Sequence, residues 1–227
     1  MAIGMLILGQ SGTGKSTAAR NLSPKSTFII NVAKKPLPFK GWKSVYTEIS
    51  KENPTGNMLS SDNYATIMNI LEHINTKRPE IKVIIIDDNQ YLMANEYMKR
   101  AKETGFQKFV DISQNAFKLA DSLKNLRDDL YVVVNNHIEV DKDEFGKQVV
   151  QAKTIGKMFT QYVTLEGLYS IVLYTKVYKK DDGSLEYVFV TQNDGNNTAK
   201  SPMGLFNTIE IPNDLNEIIK QIEIYNK

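Results

Sequence analysis

The chain has 227 residues, long enough for one α/β domain spanning residues 1–227, and its 41% hydrophobic and 24% charged residues are ordinary for a soluble globular protein. Its net charge of +2 does not by itself indicate a nucleic-acid-binding protein, because basic clusters can be hidden in a near-neutral total. The absence of cysteine excludes disulfides, thiolate metal sites and cysteine nucleophiles, and two distant histidines, His73 and His137, argue against structural zinc.

The first predicted element is a strand over residues 3–8, an apolar run suited to burial on both faces of a parallel sheet. No basic region precedes this run and it leads straight into a glycine-rich loop, so we do not interpret it as a signal peptide. No stretch of the sequence approaches 18 apolar residues. We therefore expect a cytoplasmic protein without a membrane partner.

Residues 9–16 match the phosphate-binding loop pattern Gly-x-x-x-x-Gly-Lys-Ser in full, and a helix is predicted directly after the loop, over residues 15–22. The glycines let successive backbone N–H groups face a phosphate, Lys15 adds a positive charge, and the Ser16 hydroxyl is a ligand for Mg²⁺. The predicted nucleotide-binding residues are Gly9, Gln10, Ser11, Gly12, Thr13, Gly14, Lys15, Ser16 and Thr17. The loop and its flanking elements predict binding of ATP, or a related nucleotide, together with Mg²⁺.

A second strand is predicted over residues 27–32, followed by a proline-rich segment, 34–39, that suits neither a helix nor a central strand. A short third strand is predicted over residues 43–49. Glu48, near its end, is a candidate for the carboxylate that polarises the attacking water, because a glutamate at a strand end beside the phosphate-loop strand has this role in related ATPases. The alternative is a solvated surface charge.

A helix is predicted over residues 61–77, capped by its first two residues, and the strongest strand of the chain over residues 82–87. A run of β-branched residues that ends in an acidic group is the Walker B pattern, so Asp87 is the predicted metal-side carboxylate. Asp88 has two interpretations. It is either a catalytic group that orients the attacking water or the N-cap of the following helix.

Residues 89–126 are predicted to be helical with a break at residues 104–105, and a strand over residues 130–134 closes on Asn135-Asn136-His137. In P-loop ATPases with an additional strand, a polar residue at this strand end senses the γ-phosphate. His137 and Asn136 are the candidates for this role, and a structural histidine is the alternative.

The C-terminal part is predicted to be rich in β-structure. Residues 138–155 are polar and indicate a mobile loop or an extended excursion. Two β-rich runs, 167–179 and 185–192, are joined by an Asp-Gly turn, which predicts a hairpin. A loop over residues 193–202 follows, and an amphipathic helix is predicted over residues 214–225.

Basic residues in this part have two interpretations each. Lys200 is a candidate cation for the nucleotide of a neighbouring subunit, or an exposed lysine before a turn. A mixture of lysines and aromatic residues suits a surface for single-stranded nucleic acid, where bases stack and phosphates pair, and equally suits a half-buried sheet. This mixture comprises Lys153, Phe159, Lys157, Tyr162, Tyr169, Lys176, Lys179 and Lys180.

The sequence resembles the phage-encoded RecA-like ATP-binding proteins of the Sak group, which are associated with single-strand annealing and recombination. The similarity runs from about residue 3 to residue 210 and is most specific in the proline-rich segment and in a Lys-Ser-Pro-Met segment. The segments that carry it beyond the phosphate loop are 28–32, 35–42, 86–93, 164–167 and 200–206.

This resemblance implies a three-layer α/β P-loop fold with a mainly parallel RecA-like central sheet and a C-terminal part that contains a β-hairpin. It implies an ATPase that uses ATP and Mg²⁺ and binds single-stranded DNA. Further implied partners are copies of the same chain, in a ring or filament, and a phage single-strand binding protein in the host cytoplasm. Lys15, Ser16, Asp87 and His137 take the corresponding nucleotide, metal and sensor roles.

The sequence departs from the RecA-type recombinases at one position. These proteins carry a glutamate at the end of the strand after the first helix, where this chain reads Asn31-Val32-Ala33-Lys34. The water-activating residue is therefore left open between Asp88 and Glu48.

Two other functions are weighed against the DNA-dependent ATPase. A small-molecule P-loop kinase is disfavoured because the chain has four arginines and none after Arg127, whereas such kinases close an arginine-rich lid over the phosphates. A nucleotide-dependent switch or loader with little turnover is favoured slightly by the missing glutamate.

Overall fold

The computed structural model describes residues 1–142, 148–156, 159, 162–195 and 197–227, and an eight-stranded sheet lies at the centre of this part of the chain. The strands are β1 (Ile3–Leu8), β2 (Thr27–Asn31), β3 (Met58–Leu59), β4 (Val83–Asp87), β5 (Tyr131–Asn136), β6 (Ile138–Lys142), β7 (Gln148–Ala152), β8 (Ile171–Lys179), β9 (Leu185–Val190) and β10 (Glu210–Pro212). The order in the main sheet is β10-β9-β8-β1-β5-β4-β2-β3, and β6 pairs with β7 in a separate antiparallel ribbon.

The strands from β8 to β3 in this order are parallel, whereas β9 and β10 are antiparallel additions at one edge. One additional strand, β5, separates β1 from β4. Leu8 of β1 lies beside Asn136 of β5, and Asn31 of β2 lies beside Asp87 of β4. The ends of all four strands therefore meet at one edge of the sheet, where open parallel sheets bind ligands.

Helices cover both faces of the sheet. They are α1 (Trp42–Val45), α2 (Tyr64–Lys77), α3 (Gln90–Lys99), α4 (Gln107–Ser122) and α5 (Leu215–Tyr225), with 3₁₀ helices at Ser16–Asn21, Leu123–Asn125 and Leu165–Leu168. No helix in the described part of the chain is both long and apolar enough to cross a membrane.

Two hydrophobic cores result, because successive strand residues point to opposite faces. In β1, Leu6 and Leu8 enter the core formed with α2, α3 and α4, whereas Met5 and Ile7 enter the core formed with α5 and the helix Ser16–Asn21. The predicted three-layer fold with a mainly parallel sheet is confirmed, and so is the C-terminal hairpin, in which β8 and β9 pair.

The prediction of a strand over residues 43–49 is wrong. The chain forms the short helix α1 there, and the side chain of Asn57 fixes the end of this helix by accepting from Thr47 N and donating to Val45 O, both at 2.9 Å. The edge strand is β3 instead, only two residues long.

Two further expectations need correction. Residues 138–155, predicted as a loop or extended excursion, contain the paired strands β6 and β7, and residues 143–147 between them lie outside the described residues. The N-cap of α2 is Asn63, whose side chain accepts from Thr66 N at 2.9 Å, and not residues 61–62.

Candidate nucleotide-binding site

The phosphate loop follows β1 at the edge where the parallel strands end. A Cβ atom on Gly9 would lie 1.8 Å from Oγ1 of Thr175 in β8, so no other residue fits unless the side chain of Thr175 moves. Gly12 and Gly14 have φ angles of 78° and 94°, in the left-handed region that favours glycine. Oγ1 of Thr13 lies 2.5 Å from Oγ1 of Thr175. Strand β8 thus holds the loop in a compact shape.

The loop forms one wall of an open cavity of about 280 Å³. The lining residues are Ser11, Gly12, Gly14, Lys15, Ser16, Thr17, Lys35, Pro36, Pro38, Asp88, His137 and Tyr187. The structure therefore brings three of the four predicted catalytic residues, Lys15, Asp88 and His137, to one cavity.

Lys15 is buried, with 5% of the residue exposed, and its ammonium lies over the loop. Nζ donates to the carbonyl oxygens of Gly9 at 2.9 Å and Gln10 at 2.7 Å. Burial lowers the pKa of Lys15 to about 8, although the negative charges of Asp88 and Asp87 act in the opposite direction. The ammonium is thus poorly solvated and stands where an added phosphate would stabilise its charge.

Ser16 and Asp87 are in direct contact across the strand ends. Oγ of Ser16 donates to Oδ1 of Asp87 at 2.8 Å, and Nδ2 of Asn135 donates to the same oxygen at 2.8 Å. Burial, followed by the charge of Asp88, raises the pKa of Asp87. A hydroxyl and a buried carboxylate at this distance form the oxygen donor set that Mg²⁺ prefers.

Asp88 is not the cap of the next helix, because the cap position of α3 is Asn89. Its φ angle is 61°, an uncommon value for a residue other than glycine, and the residue is 2% exposed. The carboxylate forms an ion pair with Lys35 and lies 3.4 Å from Nε2 of His137. Burial lowers the pKa of Lys35, but the hydrogen bond and charge of Asp88 outweigh this effect and raise it.

Of the two candidate sensors, His137 lines the cavity and Asn136 does not. Asn136 is buried and donates from Nδ2 to the carbonyl oxygens of His137 and Lys153, so it ties the end of β5 to the end of β7. The backbone N–H of His137 donates to Oε1 of Gln90 at 3.1 Å. Burial, followed by the charge of Lys15, lowers the pKa of His137, which favours the neutral imidazole.

The structure places Glu48 away from this cavity. Its carboxylate accepts from the backbone N–H of Ser60 at 3.0 Å and also contacts the Ser60 hydroxyl. Glu48 pairs with Met58 at the sheet edge, and three strands lie between β3 and β1. The expected position beside the phosphate-loop strand is therefore wrong, and the geometry fits the alternative of a solvated surface charge.

Lys200 also lies outside the described cavity of its own chain. Its backbone pairs with Val172 of β8 in both directions, at 2.8 and 2.9 Å. This pairing involves only the backbone of Lys200 and gives its side chain no role. Action of the side chain on a neighbouring subunit therefore stays a prediction.

The described members of the mixture of basic and aromatic residues do not form one surface. Phe159 and Tyr169 are buried in the core, and Lys176 forms ion pairs with Asp194 and Glu210. Lys157 lies outside the described residues. For the described members, the arrangement fits a half-buried sheet better than a stacking surface.

Several residues in and around the site were not predicted from the sequence, among them Asn135 and Lys35. Asn135 fixes Asp87, and Lys35 reaches Asp88 from the segment after β2. The position of Asn135 at the predicted end of a buried strand was the one sequence feature that could have identified it as a site residue. For Lys35 there was only its place in the proline-rich segment.

Comparison with known proteins gives one family match. A family model described as an AAA domain matches residues 1–203. No curated protein matches the sequence. Among solved structures, the chain is similar to a KaiC-like protein of the hyperthermophilic archaeon Pyrococcus horikoshii OT3, with 12% identity and a TM-score of 0.47, over 83% of this chain and 77% of that one.

Proposed function

The chain belongs to the AAA-domain family, and on this basis we propose that it binds ATP with Mg²⁺ at residues 9–17 and hydrolyses it to ADP and phosphate. The observation that carries the proposal is the contact between Ser16 and Asp87. Oγ of Ser16 lies 2.8 Å from Oδ1 of Asp87, so this contact joins the phosphate loop to the end of β4 at the edge where the parallel strands end. Hydrolysis of a nucleoside triphosphate is common among P-loop proteins with this pair of motifs.

The residues present fit a magnesium ion. Mg²⁺ usually takes one or two protein oxygens and completes its shell with water and substrate phosphates, so Ser16 and Asp87 are sufficient protein ligands. Consistently, the described residues contain no cluster of three or more acidic or histidine side chains that would hold a metal alone. When bound, Mg²⁺ neutralises charge on the β- and γ-phosphates.

The chain's own residues perform the remaining tasks. The backbone N–H groups of the loop and the ammonium of Lys15 hold the phosphates. His137 follows β5 and lines the same cavity; its lowered pKa favours the neutral imidazole, which can hydrogen-bond to the γ-phosphate or to the attacking water. Asp88 is the carboxylate among the lining residues, and it is the candidate acceptor of the water proton.

Substitution of Lys15 tests the nucleotide site. We expect Lys15→Ala to abolish detectable ATP binding in calorimetric titration, because the buried charge that contacts the phosphates is lost. Lys25→Ala, an exposed lysine outside the cavity, is the control and should bind as the wild type does. Unchanged affinity in the Lys15 variant would refute the assignment of the loop.

We further propose that the ATPase acts on single-stranded DNA in phage recombination, annealing or replication. The resemblance of the sequence to the Sak group supports this proposal. The position of the β6–β7 ribbon is compatible with coupling, since β6 begins one residue after His137 and Lys153 N donates to His137 O at 2.8 Å. A movement of His137 on nucleotide binding or hydrolysis would therefore displace the first residues of this ribbon.

The test is ATP hydrolysis measured with and without single-stranded DNA. Stimulation by DNA supports the proposal. Phosphate transfer to a nucleoside acceptor would instead identify a small-molecule kinase.

One observation favours a second function, a nucleotide-dependent switch or loader with little turnover. The carboxylate of Asp88 is paired with Lys35, and a paired carboxylate is a weak proton acceptor. Nucleotide binding without turnover, in the presence and absence of DNA, would favour this function over the ATPase.

A further inference from the structure

Lys35 enters the phosphate cavity from the segment that follows β2, and the end of β2 is built to hold it there. Asn31 is 3% exposed and makes two hydrogen bonds to the backbone of Lys35: Nδ2 donates to Lys35 O at 2.7 Å, and Lys35 N donates to Oδ1 at 3.3 Å. Lys34, with a φ angle of 55°, turns the chain between them. The strand end thus presents a lysine side chain to the nucleotide.

Asp88, the ion-pair partner of Lys35, is also held in an unusual backbone conformation. Among the described residues, Lys34 and Asp88 are the two residues other than glycine with positive φ angles: Lys34 directly precedes Lys35, and Asp88 is the partner of Lys35 in the ion pair. Such backbone conformations persist where the surrounding structure enforces them, and they concentrate at functional sites. The Asp88 side chain is 3% exposed, whereas that of Lys35 is 50% exposed and therefore able to move.

We propose that Lys35 is a ligand of the γ-phosphate supplied by the same chain, and that it exchanges Asp88 for this phosphate when a nucleoside triphosphate binds. The inference rests on the proposed function. Lys35 lines the same cavity as Lys15 and Ser16, and a terminal phosphate carries more negative charge than one carboxylate. A diphosphate lacks the group that competes with Asp88.

The exchange would also prepare the hydrolytic step. Once Lys35 has moved to the phosphate, Asp88 is free to accept a proton. The water oxygen then bonds to the γ-phosphorus, the bond from phosphorus to the bridging oxygen breaks, and ADP leaves with that electron pair while the water proton passes to Asp88. The ion pair with Lys35 thereby keeps Asp88 from accepting a proton until a triphosphate is bound.

The test compares a non-hydrolysable ATP analogue with ADP, each with Mg²⁺, by calorimetric titration. We expect Lys35→Ala to weaken binding of the analogue about tenfold or more, the size expected for one charge-assisted contact, and to change ADP affinity by less than about twofold. Lys35→Arg should keep most of the preference for the analogue. Lys40→Ala removes the same charge from an exposed position of the same segment, outside the lining residues, and should bind as the wild type does.

A second variant keeps the inference testable if the first folds poorly. Asp88→Asn releases Lys35, so we expect the analogue to bind as tightly as in the wild type or more tightly, while hydrolysis falls about a hundredfold. Equal weakening of analogue and ADP in the Lys35→Ala variant, or no change in either, would overturn the inference and leave the proposed ATPase intact. If the wild type bound neither nucleotide, both the function and the inference would fall.

Discussion

Asp87 is fixed at the end of β4 by two hydrogen bonds that come from different elements. Ser16 donates from the phosphate loop and Asn135 donates from β5, each at 2.8 Å and both to Oδ1. Asn135 is not itself a predicted metal ligand, and an outer partner of this kind orients a metal ligand and tunes its charge. The side chain of Asn135 thus acts on the nucleotide site through Asp87, without lining the cavity itself.

Asn135→Ala tests this positioning role. The loss of one donor leaves the buried carboxylate less well oriented, so we expect the Mg²⁺ concentration for half-maximal ATP hydrolysis to rise about tenfold. We also expect the free energy of unfolding to fall by about 1–3 kcal/mol, because a buried charged acceptor loses a partner. A magnesium titration and urea unfolding measure the two effects. A fall in stability with an unchanged magnesium requirement would show that Asn135 is purely structural.

At the same scale, the sequence predicts residues whose function is encoded locally. Lys15, Ser16 and Asp87 lie in short motifs, each defined by its neighbours along the chain. Asn135 and Lys35 were not predicted. The role of Asn135 depends on a contact with Asp87, 48 residues away in the sequence, and that of Lys35 depends on the φ angle of Lys34. Neither strand register nor a backbone angle can be read from one sequence.

At the scale of elements, the β8–β9 hairpin supports the phosphate loop from the side. Thr175 of β8 packs against Gly9, and the ring of Tyr187 in β9 lies 3.0 Å from the position that a Cβ atom on Gly14 would occupy. Tyr187 also lines the cavity. The hairpin therefore supports the loop and also places an aromatic ring in the cavity.

Tyr187→Ala removes this ring. We expect ADP affinity to fall about threefold to tenfold, because the ring's packing against the loop and nucleotide is lost. Tyr187→Phe keeps the ring and should bind nearly as the wild type does. If the Phe variant were as weak as the Ala variant, the hydroxyl rather than the ring would be the important group.

Asp62 joins the segment that carries Lys35 to helix α3. Its carboxylate pairs with Lys34 at 3.2 Å and Lys99 at 2.7 Å, and Asn95 donates to it at 3.0 Å. The hydrogen bond from Lys99 is the main cause that lowers the pKa of Asp62 to about 2. Because the folded-state pKa is below the unfolded value of about 3.9, this stabilisation is complete above that pH and is lost as the pH falls towards 2.

Asp62→Asn should therefore lower the free energy of unfolding by about 1 kcal/mol at pH 7, a modest amount because both lysines are more than half exposed. The difference from wild type should shrink below pH 4, be small at pH 2 and vanish only below it, where Asp62 is protonated in both states. Urea unfolding over this range measures it, with Asp128→Asn, an exposed carboxylate, as the control. A difference that stays constant down to pH 2 would contradict the electrostatic explanation.

The elements that the sequence predicts best are those with their own hydrophobic pattern. β1, β4 and β5 are continuous apolar runs and α2 has a helical spacing, so each could be predicted without its partners. β3 and β10 were not predicted, because they have two and three residues and exist through pairing with a longer strand. The ribbon of β6 and β7 was predicted as a loop or an extended excursion and not as paired strands, since polar side chains mask its alternation.

At the scale of the whole molecule, Lys200 is the residue whose predicted role needs a second copy of the chain. The segment of Lys200 pairs with the beginning of β8, whereas the phosphate loop contacts Thr175 further along the same strand. Lys200 does not line the described cavity of its own chain. Met203, three residues on, is 93% exposed. An effect of Lys200 on hydrolysis would therefore be exerted on a neighbouring copy or indirectly through β8.

The dependence on protein concentration separates these two routes. If Lys200 acts on a neighbouring subunit of a ring or filament, the specific ATPase activity of the wild type should rise with protein concentration. Lys200→Ala should then lower it several-fold at high concentration and leave it unchanged at low concentration, where the protein is dissociated. Because the backbone pairing with Val172 does not need the side chain, we expect the variant to keep wild-type thermal stability. Sedimentation with nucleotide and single-stranded DNA gives the state of assembly at each concentration. A loss of activity that is the same at every concentration would show that Lys200 acts on the site of its own chain through β8. It would count against action between subunits.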